Sequence, residues 1–522
     1  MRTRTASATS PRSKPARSPA TRRASPPVSQ KSKLIGKYNY GIDKGAEICA
    51  LVACTWYNLL VFLPGGGIMN LGYREINRSI FKAYDIRGLY PQEIDDDAAY
   101  RIARAYVSIL KCKRVVVGHD MRESAAPFSA ATIRGLIDQG ADVVPVGLTS
   151  TPMYYFAVNY LKGDAGVMCS ASHNPAEYNG YKMTGPGAIP SIALVDNDTL
   201  YKAACAGEFE DPAKKGTLLD KVEILDPYTD AVLDTAGIHS FGDLKIVVDC
   251  GNGMGGHILP ALFPKVGNEP VRLYWRLDGS FPNHEANPLK TETLLALRDR
   301  VVDEQADLGV AFDGDGDRVA FVDEKGQVIP GDFVTALIAR EMLKKKPGAE
   351  ILYDLRSSWV VPEEIEKAGG KAIECRVGHG LIKKQMREEG GYFAGELSSH
   401  YYFRDFFITD NGDLAMLNIV KLLLAEGKPM SEIVAPLHRY FHSGEINSEV
   451  KDIPAVLARL KAEYGPCAKR VTEIDGYKAE FDDWWFNVRP SNTEPLIRLN
   501  LEAKTREKME EKVEELLKEI RG

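Results

Sequence analysis

From residue 73 onward, short apolar runs alternate with longer stretches of helical period, and most apolar runs end abruptly in polar or glycine-rich residues. Helical spacing over 100–110 and 125–139 flanks the strand-like run KRVVVGHD (113–120). ADVVPVG (141–147) predicts a second strand, 151–160 a helix, and DAGVMCSASHNP (164–175) a third apolar strand running into a polar loop. The pattern restarts at FGDLKIVVDCGNGMGG (241–256), with ADLGVAFDGDGDR (306–318) in the same block, and again at AEILYDLR (349–356), GGKAIECRVGHG (369–380) and GYFAGELSSH (391–400). Such alternation implies parallel strands covered by helices, with ligands bound at the carboxyl ends of the strands. The last part differs: GYKAEFDDWWFNVRPSNTEPLIRLNLEA (476–503) reads as strand, polar turn and strand, and 505–520 as a charged amphipathic helix. The expected fold is α/β: three similar mixed-sheet domains at 73–226, 227–325 and 326–440, plus a smaller C-terminal α+β domain at 441–522, around one central cleft.

The first 72 residues break this pattern. Residues 1–33 hold nine basic residues, no acid, and 21 Ala, Ser, Thr or Pro, too little apolar area to offset the entropy of ordering. The apolar run ICALVACTWYNLLVFL (48–63) falls short of the roughly 20 residues that span a bilayer. A targeting leader, a membrane-associating tail and a working start at Met69 compete for this extension, and the last is favoured because globular patterning begins directly after it. Lys and Arg number 11 within 1–72 against Asp43 and Glu47; the remainder carries 55 basic and 70 acidic residues, a net of −15. An acidic body speaks against broad nucleic-acid binding but leaves room for a focused phosphometabolite site. Eight cysteines without a CxxC form neither a disulfide framework nor a zinc pattern, so Cys112, Cys169, Cys250 and Cys375 are expected to be buried and reduced, in the cytoplasm.

Several loops could carry chemistry. Asp313, Asp315 and Asp317 alternate with glycines, and three such carboxylates repel one another unless a cation lies among them; hard oxygen ligands select Mg²⁺ or a similar ion. A calcium EF-hand is excluded by Arg318 at its sixth position and by strand-like flanks. Ser170-Ala-Ser172-His173-Asn174-Pro175, with Lys182 beyond, could hold a nucleophile, but no G-x-S-x-G elbow surrounds either serine, and neighbours such as Ser172 and His173 rarely share a proton. A serine that carries phosphate suits this context better, its added charge completing the shell of the metal. Arg489, Ser491, Asn492, Thr493 and Arg498 form a cradle for a phosphate dianion, with Glu494 turned outward. Glu396, Ser398 and His400 would project from one side of an extended segment and grip sugar hydroxyls. Gly251-x-Gly253-x-x-Gly256 matches a dinucleotide fingerprint weakly; close helix–strand packing is its expected role.

Taken in order, Tyr84-Asp-Ile-Arg87-Gly88, SASHNP (170–175), DGDGDR (313–318), GELSSH (395–400) and RPSNTEP (489–495) resemble the α-D-phosphohexomutase family, phosphomannomutase/phosphoglucomutase branch, over about 73–522. The resemblance implies a heart-shaped enzyme of four domains that interconverts hexose 1-phosphate and hexose 6-phosphate through a phosphoserine and a hexose 1,6-bisphosphate, which also serves as activator. It implies Ser172 as the phosphoserine and a Mg²⁺ ligand with Asp313, Asp315 and Asp317. It places Arg318 against the transferring phosphoryl group, Tyr84, Arg87 and His173 on the substrate wall, His379 in the third domain's substrate loop, Glu396, Ser398 and His400 on the sugar, and Arg489, Ser491, Asn492, Thr493 and Arg498 on the phosphate. Lys182, its pKa lowered by nearby cations, or His400 would act as general base.

Two positions depart from the family pattern. Arg356 replaces a common lysine and is expected to bind rather than surrender a proton. His119 replaces an arginine and should make support of the serine loop pH-sensitive. Small phosphorylated sugars are the expected partners, without nucleic acid or stable membrane insertion, for a monomer or weak homodimer. Mannose and glucose phosphates are the first choice of substrate; a phosphoglucosamine mutase, a catalytically silent phosphosugar-binding regulator and a metal-dependent phosphatase remain alternatives.

Overall fold

The structure, a computed structural model, describes residues 75–490 and 496–522. The extension 1–72 and the expected ligands Ser491, Asn492 and Thr493, with Glu494, lie outside the described residues.

Three five-stranded sheets follow one plan. The first comprises β1 (Ile86–Leu89), β2 (Arg114–His119), β3 (Asp142–Leu148), β4 (Ala165–Cys169) and β5 (Tyr178–Thr184), in the order β1-β5-β4-β2-β3. Its β4, β2 and β3 run parallel, whereas β5 is antiparallel to β4, and β1 to β5. The second comprises β6 (Ile246–Asp249), β7 (Val271–Leu273), β8 (Leu308–Phe312), β9 (Val319–Asp323) and β10 (Val328–Ile329), in the order β10-β9-β8-β6-β7. The third comprises β11 (Glu350–Asp354), β12 (Lys371–Cys375), β13 (Phe393–Gly395), β14 (Tyr401–Phe403) and β15 (Thr409–Asp410), in the order β12-β11-β13-β14-β15. Each sheet thus has three parallel strands, then an antiparallel strand, then an antiparallel edge. The fully apolar runs fall on strands covered on both faces, β4, β6, β8 and β9, all of whose residues are buried.

The last parallel strand of every sheet turns back through one loop onto its antiparallel neighbour. That loop carries Ser172 between β4 and β5, the aspartates between β8 and β9, and Glu396–His400 between β13 and β14. The three most chemical motifs therefore occupy the same topological position in three successive domains.

One continuous apolar core joins these domains. The helix Thr151–Tyr160 buries Thr151 to Val158 without a polar face, because it is surrounded rather than laid on a surface. Its Phe156 meets Tyr228 and Phe406, from the second and third domains, at ring distances of 5.8 and 6.1 Å. The C-terminal part adds β16 (Phe441–His442), β17 (Ile446–Glu449), β18 (Arg470–Thr472), β19 (Tyr477–Glu480), β20 (Trp484–Pro490) and β21 (Leu496–Ala503), with the helix Arg506–Arg521 capped by Thr505. Its core is separate, built around Phe486, Leu499, Leu501 and Leu516. No helix among the described residues is long and apolar enough to cross a membrane.

The glycine fingerprint is a packing device. A Cβ on Gly256 would stand 2.0 Å from the Trp275 carbonyl oxygen, and one on Gly253 2.8 Å from that of Gly314. Gly256→Ala should accordingly destabilise the protein by about 1–3 kcal/mol through overpacking, seen as a lower denaturant midpoint, and nicotinamide dinucleotides should give no binding isotherm with the unaltered protein.

Candidate active site

The carboxyl ends of the strands converge on a cleft of about 590 Å³. Tyr84, Arg87, His173, Lys182, Arg318, Arg356, His379, Glu396, Ser398, His400, Arg489 and Arg498 all line it. Ser172 and the three aspartates lie buried at its floor.

Ser172 adopts φ 52°, a left-handed conformation that costs a non-glycine residue free energy and is held by its surroundings. Its amide donates to Ser170 Oγ at 2.9 Å, and Ser170 Oγ donates to Asp120 at 2.7 Å. Arg122, paired with Asp120, donates to the carbonyls of Ser172 (2.8 Å), Asn174 (2.6 Å), Pro175 (2.6 Å) and Tyr178 (3.1 Å). This guanidinium holds the serine loop directly, whereas His119 Nδ1 reaches the Asp120 carbonyl oxygen, at 2.8 Å. The turn also brings His173 Nδ1 to 3.2 Å from Ser172 Oγ, so the two neighbours do meet, contrary to expectation. Burial first, then the charges of Arg318 and Arg87, hold the His173 pKa well below its ordinary value.

Ser172 Oγ donates to Asp313 Oδ2 at 2.8 Å, across 141 residues of sequence. Gly314 is what permits the approach, since a Cβ there would stand 2.4 Å from the Ser172 carbonyl oxygen. Asp313, Asp315 and Asp317 offer ligand oxygens that all lie within 4.8 Å of one another. Burial, then Asp315 and Asp317, push Asp313 well above the carboxylate range. For Asp317, burial acts the other way from Lys182 and His400, and these cations prevail, lowering its pKa. Thr151 donates to Asp315 Oδ2 at 2.5 Å, and its amide to the Asp315 carbonyl at 2.9 Å, from the N-terminus of its helix. Among the described residues Asp315 Oδ1 and Asp317 Oδ1 have no hydrogen-bond partner. Unpartnered buried carboxylate oxygens, converging with a serine oxygen, are the donor set of a hard divalent cation.

Lys182 Nζ lies 2.9 Å from Asp315 Oδ2 and also bonds Asp317. Burial alone would lower its pKa, but Asp315 and Asp317 outweigh burial and raise it. The expectation that neighbouring cations lower it is therefore corrected: the carboxylates dominate because Lys182, on β5, faces the aspartate loop directly.

The loop after β13 is a turn rather than an extended segment, with Ser399 at φ 63° and its amide donating to the Glu396 carbonyl at 3.0 Å. The expected one-sided projection fails, yet the turn achieves the same grouping. His400 Nδ1 lies 3.0 Å from Ser398 Oγ and 3.3 Å from Glu396 Oε2, and His400 Nε2 is 3.2 Å from Arg318 Nε. Burial and Arg318 disfavour the imidazolium, but Asp317 and Glu396 prevail and lift the His400 pKa to about 9. Glu396 also accepts from the Gly378 amide at 2.9 Å and from Tyr402 at 2.7 Å. His379 Nε2 pairs with Asp85 at 3.2 Å and meets the Tyr84 ring edge-on; Asp85 in turn pairs with Arg87 at 2.8 Å.

Arg356, directly after β11, is clamped by Asp354, with Nε at 3.0 and 3.1 Å and Nη2 at 2.5 Å from its oxygens. Its pKa is raised because Asp354 outweighs burial, in keeping with a group that binds without releasing a proton. Arg489 and Arg498 are register partners on β20 and β21. Together with Arg356 they surround Glu445.

Sequence reasoning passed over Asp85, Arg122, Thr151, Asp354 and Glu445. Asp120 and Arg122 carried a visible signal, a charged pair directly after a strand. Glu445 carried none, because its partners lie 44 or more residues away.

The phosphoglucomutase/phosphomannomutase domain families match in order: α/β/α domain I over residues 78–204, domain II over 226–326, domain III over 330–440 and the C-terminal domain over 445–519. A phosphomannomutase of Escherichia coli is 38% identical over 454 residues, 84% of this chain and 98% of that protein. One of Methanocaldococcus jannaschii is 41% identical over 439 residues, 84% and 96%. The crystal structure of a phosphoglucomutase/phosphomannomutase family protein of Burkholderia thailandensis superposes with a TM-score of 0.78 at 33% identity, covering 85% of this chain and 97% of the other. With four domains matched in order and a serine, an acidic triad and an arginine cluster gathered at one cleft, the chain belongs to the phosphoglucomutase/phosphomannomutase family of isomerases and is a hexose-phosphate mutase.

Proposed function

We propose that the enzyme interconverts the 1- and 6-phosphates of mannose and glucose, with Ser172 as the phosphoryl carrier. The observation that supports this most directly is Ser172 Oγ at 2.8 Å from Asp313, in a cleft that also holds Arg489 and Arg498. In the first half-reaction the bond between phosphorus and the Ser172 oxygen breaks as a bond forms to the free hydroxyl of a bound hexose monophosphate, and the hydroxyl's proton ends on the Ser172 oxygen. The resulting hexose 1,6-bisphosphate turns end for end and returns its other phosphate to Ser172. No net oxidation or water is involved.

Asp313, Asp315, Asp317 and Ser172 would hold Mg²⁺, which when bound draws charge from the phosphoryl oxygens. Arg318, beside the loop, assists electrostatically. Arg489 and Arg498 hold the substrate's other phosphate, a role the RPSNTEP motif extends to Ser491, Asn492 and Thr493. Glu396, Ser398 and His400 grip the sugar hydroxyls, and Tyr84, Arg87, His173, Arg356 and His379 form the remaining wall. Lys182, kept charged by its aspartates, steadies the phosphoryl group rather than taking up a proton. Named phosphomannomutases among the relatives support mannose, and the mixed family name of the Burkholderia protein supports glucose beside it. Unpaired cysteines at 112, 169, 205, 250, 375 and 467 suit a reducing, cytoplasmic setting.

The decisive assay compares mannose, glucose and glucosamine 1-phosphates, each primed with a trace of the matching bisphosphate. The two neutral sugars should be isomerised without net phosphate release; turnover of the glucosamine compound alone would overturn the substrate assignment. Ser172→Ala should abolish isomerisation while retaining hexose-phosphate binding, measured by calorimetry, and full turnover in the variant would remove Ser172 from its role. Arg489→Ala should raise KM about 10- to 100-fold with a smaller change in kcat, as expected from loss of a charge-assisted phosphate contact.

A further inference from the structure

The chain between β7 and the helix Leu295–Glu304 lies against both loops that carry the chemistry. Its Ala286 carbonyl accepts from the Gly314 amide at 3.2 Å, while the Gly314 carbonyl accepts from the Met254 amide at 2.9 Å. The two peptide units between Asp313 and Asp315 are therefore both pinned, one by this loop and the other by the turn after β6. Nearer its start, the Phe281 ring packs against the Arg122 guanidinium, 5.2 Å from the ring centre. Arg122 is the group that holds the serine loop, so one segment of the second domain registers the aspartates and the serine against each other.

Little burial secures this segment. Pro282, Asn283, Glu285 and Leu289 are exposed, and between 281 and 290 only Ala286 and Pro288 are buried. Polar ties hold it instead. Asn283 Nδ2 donates to Asn252 Oδ1 at 2.7 Å. The ionic tie to the sheet runs from His284 Nε2 to Asp249 Oδ2 at 3.0 Å. Asp249 ends β6, is 1% exposed, and through its other oxygen accepts from the Gly251 amide at 2.8 Å. On the far side of the ring, His284 Nδ1 lies 2.7 Å from the Glu285 carbonyl oxygen. Carboxylate and carbonyl both only accept, so the ring serves both as an imidazolium, with a hydrogen on each nitrogen. Burial opposes that charge, but the bond to Asp249 and its charge prevail and raise the His284 pKa. Tyr274 closes the pocket edge-on, 5.2 Å between ring centres.

We propose that His284 is a positioning residue, the anchor that fixes the segment 281–288 to Asp249 and so holds the aspartate loop in shape for its cation. The inference rests on the metal reading above. Without the anchor, Asp249 is left as a buried charge lacking its counter-ion, and the segment loses its ionic attachment. The Ala286 carbonyl can then drift, and the Asp313–Gly314 peptide with it, which spreads carboxylates that must converge.

The test titrates Mn²⁺ into the full chain after chelator treatment, with free Mn²⁺ read by electron paramagnetic resonance, beside melting temperature and the Mg²⁺ dependence of turnover. His284→Gln should weaken Mn²⁺ binding about tenfold and raise the Mg²⁺ concentration for half-maximal rate in parallel, as loss of an outer support does. Asp249→Asn, which retains an acceptor for the Gly251 amide, reaches the same readout by a second route. The double variant should bind Mn²⁺ no more weakly than the weaker single one, because the two groups act as a unit. Glu285→Gln, which cuts the exposed pair with Lys290 on the same segment, should leave Mn²⁺ affinity unaltered. Unchanged Mn²⁺ affinity in folded His284→Gln, fully additive losses in the double variant, or an equal loss in Glu285→Gln would each overturn the proposal. A different failure is separable: an unaltered protein that binds neither Mn²⁺ nor Mg²⁺ would overturn the metal reading, and the anchor with it.

Discussion

Three carboxylates buried within 4.8 Å of one another set the terms for everything around them. Two unit charges 4 Å apart at a protein-like dielectric interact by about 4 kcal/mol, and burial together with this repulsion pushes Asp313 well above the carboxylate range. The fold answers with positive charge and dipoles drawn from several domains. Lys182 comes from β5, His400 from the third sheet, and the N-terminus of the helix Thr151–Tyr160 points at Asp315. None of these lies near the aspartates in sequence, so the domains must close on one another for the loop to be tolerable at all. The buried oxygens still lacking partners are the remaining demand, which a cation would meet.

The recurrence of one sheet plan explains how such closure is arranged economically. Each domain delivers its chemical loop from the same joint, where a parallel strand turns back onto an antiparallel one. A turn at that joint is free to vary without disturbing either strand, and the three differ in kind: one presents Ser172, one the three aspartates, and one Glu396, Ser398 and His400. Cross-domain contacts then run between equivalent loops: Ser172 to Asp313, Arg318 to His400, and the Val319 amide to the Ser399 carbonyl.

Much of this was readable before any coordinates. Buried strands such as LGVAF and AGVMC are continuous apolar runs, and their ends are marked by the polar motifs themselves. The aspartate loop was legible as a candidate cation site because three acids among glycines repel one another unless a cation lies among them, and the helix Thr151–Tyr160 because Ser150 and Pro152 mark its start. What escaped detection depends on contacts between distant segments. The turn at Glu396–His400 was misjudged because alternate spacing also fits an extended chain. Lys182 was misjudged because its pKa depends on which charges face it, and the aspartates that raise it lie more than 130 residues away in sequence. Glu445 has no motif, and only the fold gives it partners.

The fourth domain keeps its apolar core to itself, while the first three share one. Its ties to the third domain include polar ones: Lys478 to Glu374 and to the Leu355 carbonyl, the Trp359 amide to Glu502, and Arg356 to Glu445. Lys478 and Glu374 keep only 4% and 5% of their exposure, and breaking a buried pair of this kind is costly, so the ties fix the domain's orientation even though its apolar cluster stays separate. The fourth domain thus keeps its own packing while its arginines are held at the cleft by charge.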